Sequence, residues 1–204
     1  MWRSTAPRGE RHSMLLRHRV PRLESQPVNA SKGFEHLDQR WIAVLRWLHA
    51  NRVDFVLVGY VARAIRGDND ARGPVSIVPA PYGRNLDRLA RALESAHARL
   101  RIDGAADPQS ADAETMPVKV TAEKLVRGQR WTLRCGTHDL DIEGRPAGVP
   151  RYQELLYEAV RFELAPDTNV EVASPEDIEL YDHVRRTGIS PEFRVVRNSS
   201  TENQ

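Results

Sequence analysis

The amino-acid sequence predicts a mixed α/β (α+β) domain, a mixed β-sheet flanked by helices. Three observations predict it. The apolar runs "VDFVLVG" and "VSIVPA" have strand length and fit strands buried on both faces. Other segments carry apolar residues at helical spacing. The two kinds alternate along the chain as helix, strand, helix, strand, helix, strands, helix, strand, helix.

Residues 1–33 hold seven basic and two acidic side chains, with Pro and Ser but no sustained apolar period. They read as a basic, disordered tail. They lack the long apolar stretch of a secretory signal. The globular text begins at Phe34. "FEHLDQRWIAVLRWLHANR" places Leu37, Trp41, Val44, Leu45 and Leu48 on one helical stripe, with Asn51 as a stop. The strand in "VDFVLVG" follows, ended by Gly59, and "YVARAIRG" is a short helix ending at Gly67. "DNDARGP" is a loop, and "VSIVPA" is a second strand closed by Pro79 and Pro81.

A longer helix is expected over "NLDRLARALESAHARLR", with Leu86, Leu89, Ala90, Leu93 and Ala96 inward. "DGAADPQSADAETMP" is a polar, acidic loop. Thr121 is the expected N-cap of one or two turns in "VTAEKLVRGQ". "RWTLRCG" and "HDLDIEG" form a hairpin turning at Gly136-Thr137. "RYQELLYEAVRFEL" reads as a helix throughout, "NVEVAS" as a strand, and "SPEDIELYDHVRRTG" as a helix with Ser174 as N-cap and Pro175 at its first position. The domain is expected to span residues 34–188, with residues 189–204 as a polar tail.

Bulk composition excludes several classes. The chain of 204 residues is 28% charged with a net charge of only +2, so no global field attracts nucleic acid. A separate reading is a nucleic-acid-binding module that uses the basic tail, 1–33. Cys135 is the one cysteine, which excludes an intrachain disulfide and a cysteine zinc site. It reads as a half-buried strand residue, consistent with a cytoplasmic location. No apolar run reaches membrane-spanning length, so no membrane partner is expected. His97, in a helix, and His138, beside a hairpin turn, read as surface or capping residues. Walker A, G-x-S-x-G and G-x-G-x-x-G motifs are all missing.

The segments "VDFVLVGYVARAIRG", "PVSIVPAPYGRNLDRLARALE", "TLRCGTHDLDIEGRPAGVPRYQELL" and "VEVASPEDIELYDHVRRTG" resemble, in order and spacing, the nucleotidyltransferase superfamily with its polymerase-β-like fold. Over residues 35–188 the chain looks like the small bacterial nucleotidyltransferases of abortive-infection and toxin–antitoxin systems. The resemblance implies a glycine and a small residue after the first strand, where backbone N–H groups cradle a triphosphate. Here Gly59 is kept and Tyr60 follows it, where it would crowd the phosphate. It implies Asp-x-Asp on the second strand, both carboxylates on one face to hold Mg²⁺. Those positions are Pro74 and Ser76.

The family's third carboxylate, which activates the acceptor, matches Asp141, with Asp139 beside it on the same face. The alternative for this pair is an edge strand with solvated acids. Asp68 and Asp70 sit in the loop ahead of the second strand, from which Asp70 could reach the site. Arg72, Arg84 and Lys119 are candidate phosphate partners. The last helix offers Asp182, His183, Arg185 and Arg186 where relatives carry a basic residue toward the nucleotide.

The resemblance implies one of two functions. One is a degenerate nucleotidyltransferase-like protein, a pseudoenzyme that binds a nucleotide or a protein partner, in which Gly59, Tyr60 and Ser76 would face the nucleotide. The other is an active Mg²⁺-dependent transferase moving a nucleoside monophosphate from an NTP to RNA, protein or a small molecule. Asp141 would then be the general base, with Asp139 and Asp70 completing the metal ligands.

Overall fold

The computed structural model describes residues 20–23, 29–102 and 114–188. The tail expected at 1–33 lies outside them except for 20–23 and 29–33, the tail at 189–204 lies wholly outside, and most of the acidic loop does too. Among the described residues are six helices and one eight-stranded mixed sheet.

Helix α1 (Gln39–Ala50) starts at Asp38, whose carboxylate accepts the Arg40 N–H at 2.8 Å, and stops at Asn51. It buries Val44, Leu45 and Leu48 as the stripe requires, together with Ile42 and Trp47. Strand β1 (Phe55–Val58) is buried along its whole length, and α2 (Gly59–Ile65) follows without a linker. β2 (Val75–Pro79) runs back antiparallel to β1. α3 (Gly83–Ser95) is anchored at its start by the buried Asn85, which accepts the Asp54 N–H and donates to the Asp54 and Ala80 carbonyls.

Here the structure departs from the sequence reading. The helix does not run to Arg101: it ends at Ser95, His97 takes φ +50, and Arg99–Arg101 becomes β3, paired with β4 (Thr115–Pro117). α4 (Ala122–Val126) carries the expected Thr121 cap. β5 (Trp131–Cys135) and β6 (His138–Ile142) form the expected hairpin. The next helix, α5 (Tyr152–Glu158), also stops early. Ala159 is extended, and Val160–Ala165 forms β7 against β8 (Thr168–Val172). α6 (Pro175–Thr187) has the Ser174 cap and Pro175 start, two acids in its first turn, and Gly188 at φ +68 closing it.

The strand order is β4-β3-β5-β6-β2-β1-β8-β7. Only β2–β6 and β1–β8 are parallel; the other neighbours are antiparallel. β6 is therefore interior, and its acids are not the solvated acids of an edge strand. The register aligns Val58 with Ser76, Ser76 with Asp141 and Asp141 with Thr132, one row across four strands. The segment before the domain is tied to it: Asn51 donates to the Pro21 carbonyl, and the Ser31 N–H to that of Leu164. No described helix is long and apolar enough to cross a membrane.

Candidate functional site

The row through Ser76 and Asp141 is where the chain concentrates its buried charge. Asp141, Asp139 and Glu143 alternate along β6 and its continuation. Asp141 is 1% exposed. A bare carboxylate there would cost far more than a domain can spare, so partners must come with it. They are arginines from four elements. Arg101 at the end of β3 binds Asp141 Oδ1 directly. Arg130, just before β5, donates to its Oδ2 at 2.9 Å. Arg185 on α6 stands 3.9 Å from Oδ2 while binding Glu143 directly and donating to Ser76 Oγ at 2.9 Å. Arg134 on β5 holds Asp139 through Nε at 2.8 Å, and Arg101 reaches the same carboxylate at 3.2 Å. Burial pushes the Asp141 carboxyl above its ordinary range, and the arginines pull against that.

Arg185 is positioned by a second ion-pair group. Arg63 on α2 binds Asp182 at 2.7 Å and Glu179 at 2.7 Å, fixing α6 against α2. Asp182 thus clamps α6 to α2. Burial lowers the ease with which Arg185 carries its charge, but Glu143 and Asp141 more than offset this, so its guanidinium stays protonated.

Gly59, at φ +67, packs directly on this network. A Cβ there would lie 3.0 Å from Ser76 Oγ and 3.6 Å from the Arg185 guanidinium. The positive φ favours glycine, and a side chain would need Ser76 to give way by a few tenths of an ångström. The Tyr60 ring lies against Gly73, in the segment ahead of β2, where any side chain would overlap it, and the Arg185 guanidinium sits 5.7 Å from its centroid. The structure thus brings together Gly59, Tyr60, Ser76, Asp139 and Asp141. Asp70 stands apart. Its N–H donates to Asp68, and it lines a neighbouring cavity with Tyr60, Arg72, Asp182, Arg185 and Arg186, on the other side of the Tyr60–Arg185 contact from the Asp141 ion pairs. Arg72 donates to the carbonyls of Asn69 and Ala71. His138 is buried, not at the surface, and burial lowers its pKa. Cys135 is fully buried, and burial raises its thiol to about 12.

These donors do not fit Mg²⁺. Ser76 Oγ already accepts from Arg185, Pro74 offers no ligand, and the two aspartates are held by guanidiniums. Among the described residues no three His, Cys, Asp or Glu side chains meet as a set able to hold a metal ion. At an effective dielectric of about 20, unit charges 4 Å apart interact by about 4 kcal/mol, and a divalent ion doubles this. Three arginines around Asp141 therefore repel such an ion about as strongly as three carboxylates attract it. Little remains to offset dehydration of the ion.

Sequence reasoning missed Arg101, Arg130, Glu143 and the inward role of Arg185. Part of the signal was present. Arg130 and Arg134 alternate on one arm of the hairpin while Asp139, Asp141 and Glu143 alternate on the other, a pattern of cross-strand charge pairing. Neither protein-family models nor curated protein sequences match the chain.

Proposed function

We propose that this chain is a nucleotidyltransferase-fold protein that has lost metal-dependent transfer and binds a nucleotide or a protein partner instead. One observation carries the reading: arginines occupy the surroundings of Asp141, the residue that the resemblance makes the general base. A base so held cannot take a proton from an acceptor without breaking ion pairs in a buried site. The interior position of β6, the row joining Ser76 to Asp141, and Gly59 beside Ser76 support the nucleotidyltransferase frame. Membership of an abortive-infection or toxin–antitoxin system rests on the resemblance alone.

The test is calorimetric titration of each NTP with and without Mg²⁺, together with an assay for label transfer from α-labelled NTPs to RNA and to the protein. The expected result is no transfer and no Mg²⁺-dependent heat. Mg²⁺-dependent binding with transfer, both lost in Asp141→Ala, would instead establish an active transferase.

A further inference from the structure

At the open end of β6 the balance of charge changes. A cavity of about 250 Å³ lies between Trp41, the Gly73–Pro74 segment and the β5–β6 turn. Arg40, Arg101 and Arg134 line it, and Asp139 is the one carboxylate among its lining residues. Arg134 and Arg101 bind Asp139, Arg101 also binds Asp141 behind the cavity, and Arg40 is held from outside the cavity by Asp38 at 2.6 Å and still feels the charge of Asp139. The Arg101 side chain is only 8% exposed, yet its Nε–H is buried with no hydrogen-bond partner. A buried cationic donor left unmet is a rare and expensive feature. His138 adds no positive charge at neutral pH, because burial keeps it neutral. Counted with the network behind the cavity, five guanidiniums (Arg40, Arg101, Arg130, Arg134 and Arg185) face four carboxylates (Asp38, Asp139, Asp141 and Glu143), which leaves one positive charge in surplus.

We propose that this cavity binds a small phosphate monoester without a divalent cation, its oxygens on Arg40, Arg101 and Arg134 and its organic part against Trp41. This rests on the proposed function and names the ligand class of that reading. Guanidinium forks match phosphate oxygens in pairs, and a monoester carries about −1.5 to −2 at neutral pH. The Trp41 indole N–H is already given to the Gly73 carbonyl at 2.9 Å, so the ring is oriented before any ligand arrives. Drug-sized sites run about 300–1,000 Å³, so this volume suits a phosphate with a modest substituent better than a triphosphate.

The test is calorimetry in EDTA with inorganic phosphate, ribose 5-phosphate and AMP. Saturable binding of at least one probe is expected. Arg40→Gln and Arg134→Gln should each weaken it about tenfold, the loss of one charge-assisted bond. Asp139→Asn should tighten it several-fold, because the carboxylate that competes for the same guanidiniums is neutralised. A merely structural Asp139 would not give that gain. No saturable heat with any probe overturns the inference, as does binding indifferent to Arg40 and Arg134, or unchanged or weakened in Asp139→Asn. Such a failure leaves the proposed function standing if NTPs show no Mg²⁺-dependent binding or transfer, whereas Mg²⁺-dependent transfer overturns that function whatever phosphate does.

Discussion

Strands β1 and β6 both lie inside the sheet, and they survive burial by opposite means. Phe55–Val58 buries only apolar side chains, so its stability is local and additive in character. β6 buries Asp141 and leaves Asp139 partly covered, and it is viable only because β3, β5, the segment before β5 and α6 each deliver an arginine. An apolar strand needs only to be covered. A charged one needs particular partners at particular places, and those partners also exclude other chemistry from the site.

The largest expected effect tests this dependence. Arg101→Met leaves Asp141 buried with one partner fewer and should cost roughly 3–5 kcal/mol in denaturant unfolding. Adding Asp141→Asn should recover a good part of the loss, because the uncompensated charge goes with it. Leu57→Ala in β1, a cavity in a fully buried strand, should cost about 3 kcal/mol. The same Asp141→Asn should not change that cost, since the two sites share no partner. If both losses respond alike to Asp141→Asn, the contrast between the strands is broken. A smaller effect is expected from Ser174→Ala, about 1 kcal/mol, because Ser174 Oγ caps α6 by accepting the Asp177 N–H at 3.2 Å. It should also loosen the seating of Arg185, read as faster amide exchange in α6.

The smallest effect concerns Cys135. Burial holds its thiol at about 12 against an ordinary value of 9.0. The raised folded value means a contribution to stability that is complete below pH about 9 and is lost as the pH rises toward 12. Native protein should therefore resist thiol reagents at pH 8 and react at once in denaturant. Rapid native labelling would contradict the burial.

Where the sequence could be read, local chemistry and global packing agreed. Asn51 ends α1, Ser174 and Pro175 open α6, and Gly136-Thr137 turns the β5–β6 hairpin. The failures came where sheet pairing overrode helical propensity. "AHARLR" and "AVRFEL" are acceptable continuations of helices, but Leu100 pairs with Leu133 and Phe162 with Val170. The first of these errors also hid a site residue. Arg101 read as the tail of a helix is a surface charge; as the end of β3 it binds both Asp139 and Asp141. The loss of Mg²⁺ ligands at Pro74 and Ser76 was legible because it concerns residue types. The arginines that neutralise the remaining acids were not, because they converge from distant parts of the chain.

The most direct measurement is thermal unfolding of the natural chain and of Asp141→Asn across a series of Mg²⁺ concentrations. If Asp141 is an ion-pair partner, the natural chain melts at one temperature at every Mg²⁺ concentration. Asp141→Asn then melts lower, because Arg101 and Arg130 each lose one of two carboxylate partners. A natural chain that gains stability with Mg²⁺, beside an Asp141→Asn variant that is more stable without it and blind to the ion, would contradict that role and identify Asp141 as a metal-site carboxylate.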